Sequence, residues 1–186
     1  SVIPRDTLVD LVELARRRNL FLVADEVYRE FVFDEERATS LLEIPGSEEV
    51  TIVIDSVSKR YSACGARIGW LVSRREDVLS FALKYTQMRL PAPTLEQVAL
   101  VHVLDQGEAD IQRAKMEYAK RREVAHRFLK EADIHCGYPA GALYLIADLR
   151  VDAEAFTRFM LTEYSGIEND YETVLTAPAQ AFYATP

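Results

Sequence analysis

Cysteine and histidine are scarce in this chain, and their scarcity removes two kinds of chemistry. Cys64 and Cys136 form no C-x-x-C or C-x-x-H pattern, and His102, His126 and His135 lie far from one another in sequence. No metal site is therefore expected, and a reducing, cytoplasmic setting is the expected one. Long apolar runs are missing too: nothing reaches the roughly 18 residues of a membrane span, and no charged-then-apolar signal opens the chain. Positive charge is short. Against 30 Asp and Glu stand 22 Lys and Arg, a net charge of −8 that repels nucleic acid and anionic membranes, so neither partner is expected and any phosphate must be held locally. The first residue is Ser1 rather than Met and a helical pattern begins almost at once, so the chain is expected to be a piece of a longer protein.

What is present is enough for one sizeable core, or a core with a small satellite: 49% of the 186 residues are hydrophobic and 28% charged. Residues 5–18 place Leu8, Leu11, Val12 and Ala15 on one helical face, with Asn19 as a stop. The apolar run Leu20 to Ala24 predicts a strand buried on both faces, and TIVID at 51–55 and RIGWLVS at 67–73 have the same character. Helices are predicted from about Glu76 to Met88, from Thr94 to about Leu104 after the break at LPAP, and from Gly107 to about Lys130. In that last helix Arg121 and Arg122 interrupt the apolar stripe, as expected of a helix bridging two bodies. Beyond it ALYLIADL at 142–149 predicts a strand, DAEAFTRFMLTEYSG a helix closed by Gly166, and ETVLTAP a second strand. The order is that of an α/β fold followed by the start of a smaller α/β unit.

Ligands of open α/β sheets gather at the carboxyl ends of the strands. Asp25 ends LFLVAD, and Lys59 sits in the turn after TIVID. Beside buried strands a lysine is partly desolvated, which favours the neutral amine able to form an imine with a carbonyl. Ser56, Ser58 and Arg67 supply hydroxyls and a charged fork for a phosphate. An amine, an anion clamp and a carboxylate are what pyridoxal phosphate requires for its aldehyde, its phosphate and its ring nitrogen.

ADEVYREFVFD followed by DSVSKRYSACGARIGW resembles the fold-type I pyridoxal-phosphate aminotransferases, of the aspartate aminotransferase class I/II kind. The family patterns S-x-S-K…R-x-G and D-E-x-Y occur in the family's order. The resemblance implies that Lys59 forms the internal aldimine with pyridoxal 5'-phosphate and moves the proton, that Asp25 pairs with the pyridinium nitrogen, and that Tyr28 hydrogen-bonds the ring hydroxyl. It also implies that Ser56 and Arg67, with Ser58, hold the phosphate. By the same resemblance residues 1–110 are the C-terminal part of a large cofactor-binding domain with a mostly parallel sheet, 111–132 an interdomain helix, and 133–186 an incomplete small domain. The implied activity is transfer of an amino group between an amino acid, aspartate first, and a 2-oxo acid, in a cytoplasmic homodimer. Family members also carry an N-terminal glycine-containing phosphate loop, an aromatic residue stacked on the ring, an asparagine and a carboxylate-binding arginine. None of these falls within the 186 residues, so the chain alone is expected to be inactive.

Other readings stay open on the residues. SVSK is literally S-x-x-K, the nucleophile motif of serine β-lactamases, but the S-D-N and K-T-G that must accompany it do not occur. A lyase or decarboxylase of the same cofactor class would use the same contacts, and a binding module could keep the fold without the chemistry. Singly, each residue also has a plainer role: Asp25 as a turn cap, Arg67 as half of a surface ion pair.

Overall fold

The computed structural model describes residues 2–34, 37–164 and 172–182. Its first helix, α1 (Arg5–Arg18), forms where Leu8, Val12 and Ala15 recur on one buried face. Asp6 lies in its first turn and Arg16, Arg17 and Arg18 in its last, matching the helix dipole. Asn19 ends it in the left-handed conformation at φ 51°, and the Leu20 amide returns to the Ala15 carbonyl at 2.9 Å, a Schellman closure. The buried face packs on Leu41, Ile44 and Val50, with Leu22 and Ala24 at its margin.

Three strands form the sheet in the order β1-β2-β3. β1 (Leu22–Asp25) runs parallel to β2 (Thr51–Ser56), and β3 (Gly69–Val72) runs antiparallel to β2, so the described sheet is mixed. The expectation of strands buried on both faces is not met. In β2, Thr51, Val53 and Asp55 are buried while Ile54 is 41% exposed, and in β1 Val23 is 61% exposed. The core of α1 and residues 41–50 covers one face, and among the described residues the other is open over Val23 and Ile54. Between β2 and β3 lies the single-turn helix α2 (Val57–Arg60). α3 (Glu76–Gln87) and α4 (Thr94–Gln106) follow, and neither buries a residue. α5 (Glu108–Glu131) buries Ile111. Among the described residues no helix is long and apolar enough to cross a membrane.

The chain divides into two compact units, Ser1–Arg121 with Pro139–Leu143, and Arg122–Tyr138 with Tyr144–Pro186. In the second, β4 (His135–Cys136) pairs antiparallel with β5 (Ala147–Asp148). α6 (Ala153–Thr162) is capped by Asp152, whose carboxylate accepts from the Ala155 amide at 2.6 Å. The strand expected over 142–149 shrinks to β5, and its expected first residue, Ala142, sits at φ 63°, outside the strand region. The strand expected over ETVLTAP is absent. Thr173 instead donates its hydroxyl to the Met160 carbonyl at 2.6 Å, and the Thr176 and Thr157 hydroxyls meet at 3.0 Å, so side chains rather than a ladder hold this segment on α6. Gly166, the expected helix stop, lies outside the described residues.

Candidate active site

Strand register decides which side chains share a face. Asp25 pairs with Ile54 across β1 and β2, and Ser56 pairs with Gly69 across β2 and β3. Since side chains alternate along a strand, Asp25, Ile54 and Ser56 stand on the same face, the more open one. Because β1 and β2 are parallel, Asp25 and Ser56 also lie at adjacent carboxyl ends. The neighbouring Glu26 turns away: its carboxylate accepts from the Ser40 hydroxyl at 2.8 Å and the Leu41 amide at 3.0 Å. Of the D-E pair, Asp25 alone is thus available to a ligand. Its Oδ1 accepts from the Val27 amide at 3.3 Å, the turn-capping role a lone aspartate often plays. Among the described residues its Oδ2 takes no hydrogen bond. Half-buried Tyr28 follows in that turn.

Lys59 lies in α2, not in an open loop. Ser56 is the N-cap of this turn and accepts from the Ser58 amide at 3.3 Å, while the Cys64 thiol donates to the Ser58 carbonyl at 3.1 Å. Both bonds hold the half-buried Lys59 close to the end of β2. Arg67 sits at φ 54°, left-handed and without glycine's freedom. Its guanidinium donates to the Cys64 carbonyl at 2.9 Å, and among the described residues no carboxylate lies within ion-pair distance. The surface ion pair that was its plainer role is therefore not formed.

A cavity of about 480 Å³ gathers Ser56, Ser58, Arg67, Gly69, Val27 and Ile54. A second, of similar size, runs along the outer edge of β1 and takes in Asp25 and Tyr28. The structure thus brings the hydroxyls and the arginine together and sets the carboxylate and phenol beside them, while Lys59 lines neither cavity. The donor set fits pyridoxal phosphate in kind: an amine, a carboxylate oxygen without a partner, and a guanidinium beside two hydroxyls. Among the described residues no cluster of His, Cys, Asp or Glu is suited to a metal.

Gly69 keeps this face clear. A Cβ added there would stand 2.9 Å from the Asp55 carbonyl oxygen and 3.3 Å from the Ser56 Cβ, so one strand would have to move. Gly69→Ala in the full-length protein is expected to lower stability by about 1–3 kcal/mol and to displace Ser56. Thermal unfolding checks this, and an unchanged midpoint would contradict it.

Sequence reasoning passed over one group. Asp55, buried on the opposite face, pairs with the Arg60 guanidinium, which also reaches Glu30 at 3.0 Å. Burial pushes the Asp55 carboxyl above its ordinary value, and Arg60 opposes the shift. The signal was legible in the alternation of Thr51, Val53 and Asp55, since a charge at an inward position needs a partner.

Asp25 and Ser56 at the carboxyl ends of a parallel strand pair agree with the fold that the sequence resemblance implies. The family model described as aminotransferase class I and II matches residues 1–169, and the chain belongs to that family, whose members use pyridoxal phosphate. Among curated relatives it is 30% identical over 165 residues to the LL-diaminopimelate aminotransferase of Natranaerobius thermophilus, covering 88% of this chain and 43% of that one. Among solved structures, aspartate aminotransferase from Thermotoga maritima superposes with a TM-score of 0.78 at 27% identity, over 87% of this chain and 42% of that one. The Thermus thermophilus enzyme with maleate, at 24% identity and TM-score 0.82, covers 96% of this chain and 45% of its own and supports the fold. The chain spans less than half the length of the curated relatives it matches.

Proposed function

We propose that the full-length protein transfers an amino group between an amino acid, aspartate in the first instance, and a 2-oxo acid. The observation that carries this reading is that Asp25 and Ser56 share one face at the carboxyl ends of β1 and β2, with Arg67 lining the same cavity as Ser56 and Lys59 in the turn that Ser56 caps. Bound pyridoxal phosphate supplies an aldehyde that takes up the amino group and a ring that draws electrons from the substrate α-carbon. The protein does the rest. Ser56, Ser58 and Arg67 hold the phosphate by hydroxyls and a guanidinium fork. Asp25 Oδ2 keeps a proton on the ring nitrogen, and Tyr28 orients the ring through its hydroxyl. Lys59 Nζ would hold the cofactor by its aldehyde carbon in the resting enzyme and would then carry the proton lost from the substrate α-carbon to that carbon.

Aspartate with 2-oxoglutarate is the first pair to test, supported by the aspartate aminotransferases among the relatives. LL-diaminopimelate, alanine and aromatic donors follow. Residues 1–110 are read as part of the large domain, 111–132 as the interdomain helix and 133–186 as an incomplete small domain. A cytoplasmic homodimer is the proposed assembly, supported by exposed Phe81, Leu83, Leu95, Val98 and Val101 on α3 and α4, which call for a cover. The experiment is a donor panel on the full-length protein, reading 2-oxo acid release and amino-group gain by the acceptor. Aspartate is expected to lead. Loss of carbon dioxide or ammonia without amino gain would replace this reading with a decarboxylase or lyase.

A further inference from the structure

Arg60 stands where the segments bearing the candidate site meet. Its Nε donates to Glu30 Oε2 at 3.0 Å, its Nη2 donates to Asp55 Oδ2, and its guanidinium carbon lies 5.6 Å from the centroid of the Trp70 ring. The Arg60, Glu30 and Asp55 side chains are only 13%, 17% and 7% exposed, so water screens the cluster weakly. Its members are neighbours in sequence of the candidate residues. Glu30 lies in the turn that carries Tyr28, Asp55 immediately precedes Ser56, and Arg60 immediately follows Lys59. Trp70 follows Gly69 and is the cross-strand partner of Asp55. Alternation therefore places Asp55 and Trp70 on one face of the sheet and Ser56 and Gly69 on the other.

α2 needs such an anchor. A helix of four residues has too few backbone bonds to hold itself, because nucleation outweighs what one turn returns. The Ser56 cap fixes its start and the Cys64 thiol its middle. At its end the Arg60 side chain reaches back both to β2 and to the turn after β1.

We propose that Arg60, bridging Glu30 and Asp55, is a positioning residue that locks the Lys59 turn to the strand end carrying Ser56 and the turn carrying Tyr28. The proposal rests on the reading of Lys59 as the cofactor lysine. A planar guanidinium serves both carboxylates at once, whereas an ammonium is a point charge that cannot keep both geometries. Lysine at this position should therefore preserve charge and fold while loosening the lock. Glu30→Gln, which keeps shape and removes one charge, tests the same bridge without touching Arg60.

The test uses the full-length protein as wild type, Arg60→Lys, Glu30→Gln and, as an ion-pair control outside the cluster, Arg75→Lys. In the cofactor-free protein, amide hydrogen exchange over residues 57–61 is expected to quicken by about tenfold or more in the two cluster variants and not in the control. In the loaded protein, kcat should fall by about tenfold or more in those variants with KM little changed, because a misplaced lysine loses proton transfer rather than substrate binding. Wild-type exchange over 57–61 in both variants would overturn the proposal. So would a lowered melting temperature accompanied by unchanged kcat, which marks a merely stabilising ion pair. The two readings fail separately. Activity retained by Lys59→Ala removes the cofactor lysine, whereas the exchange measurement reports on the lock without any cofactor.

Discussion

Lys59→Ala in the full-length protein is expected to abolish both covalent attachment of pyridoxal phosphate and its visible absorption, and to cut amino transfer by about 10²–10⁴-fold or more. That range is what a positioned acid–base group contributes, and the loss of the anchoring amine adds to it. The fold should survive, because α2 is held by the Ser56 cap, the buried Val57 with its amide bonded to the Ile68 carbonyl, the Cys64 thiol and the Arg60 cluster, none of which involves the Lys59 side chain. Lys120→Ala is the control: Lys120 lies on the exposed surface of α5, and its loss should change neither spectrum nor rate. Normal turnover by the Lys59 variant, with a wild-type melting curve, would remove the lysine from the chemistry.

Asp25→Asn is the second large effect. An asparagine oxygen accepts from the Val27 amide as Asp25 Oδ1 does at 3.3 Å, so the turn and its stability should persist to within about 1 kcal/mol. The amide cannot hold a proton on the ring nitrogen. Losing a charged hydrogen bond of about 3 kcal/mol corresponds to roughly a hundredfold in the proton-transfer step. The single-turnover rate in the cofactor-saturated variant separates the two roles. A rate within a few-fold of wild type leaves Asp25 as a turn cap.

Much of the first unit was legible where a pattern repeats. Leu8, Val12 and Ala15 at helical spacing and Asn19 as a left-handed stop mark α1, and TIVID marks β2. An apolar run does not tell how many of its faces will be covered, and Val23 and Ile54 stand on the more open face of the described sheet. In the second unit a strand-like composition misled. Ala142 takes a left-handed backbone, and Thr173 and Thr176 spend their hydroxyls on α6.

For the candidate site, motif order located Asp25, Ser56, Lys59 and Arg67 along the chain, and register then set Asp25 and Ser56 on one face. α2 was not legible as a helix, since four residues carry no periodicity. Nor was the Arg60 cluster, whose members Glu30, Asp55 and Arg60 are separated in sequence and meet only once the strands pair. Only the inward position of Asp55 hinted at it.

The most direct measurement is borohydride reduction of the full-length protein loaded with pyridoxal phosphate, followed by peptide mapping. Reduction makes the lysine–cofactor bond permanent, so the added mass identifies the residue that carries it. The account predicts the label on the peptide containing Lys59, and its disappearance in Lys59→Ala. A label on a different lysine, or none on a protein that still transfers amino groups, would contradict it.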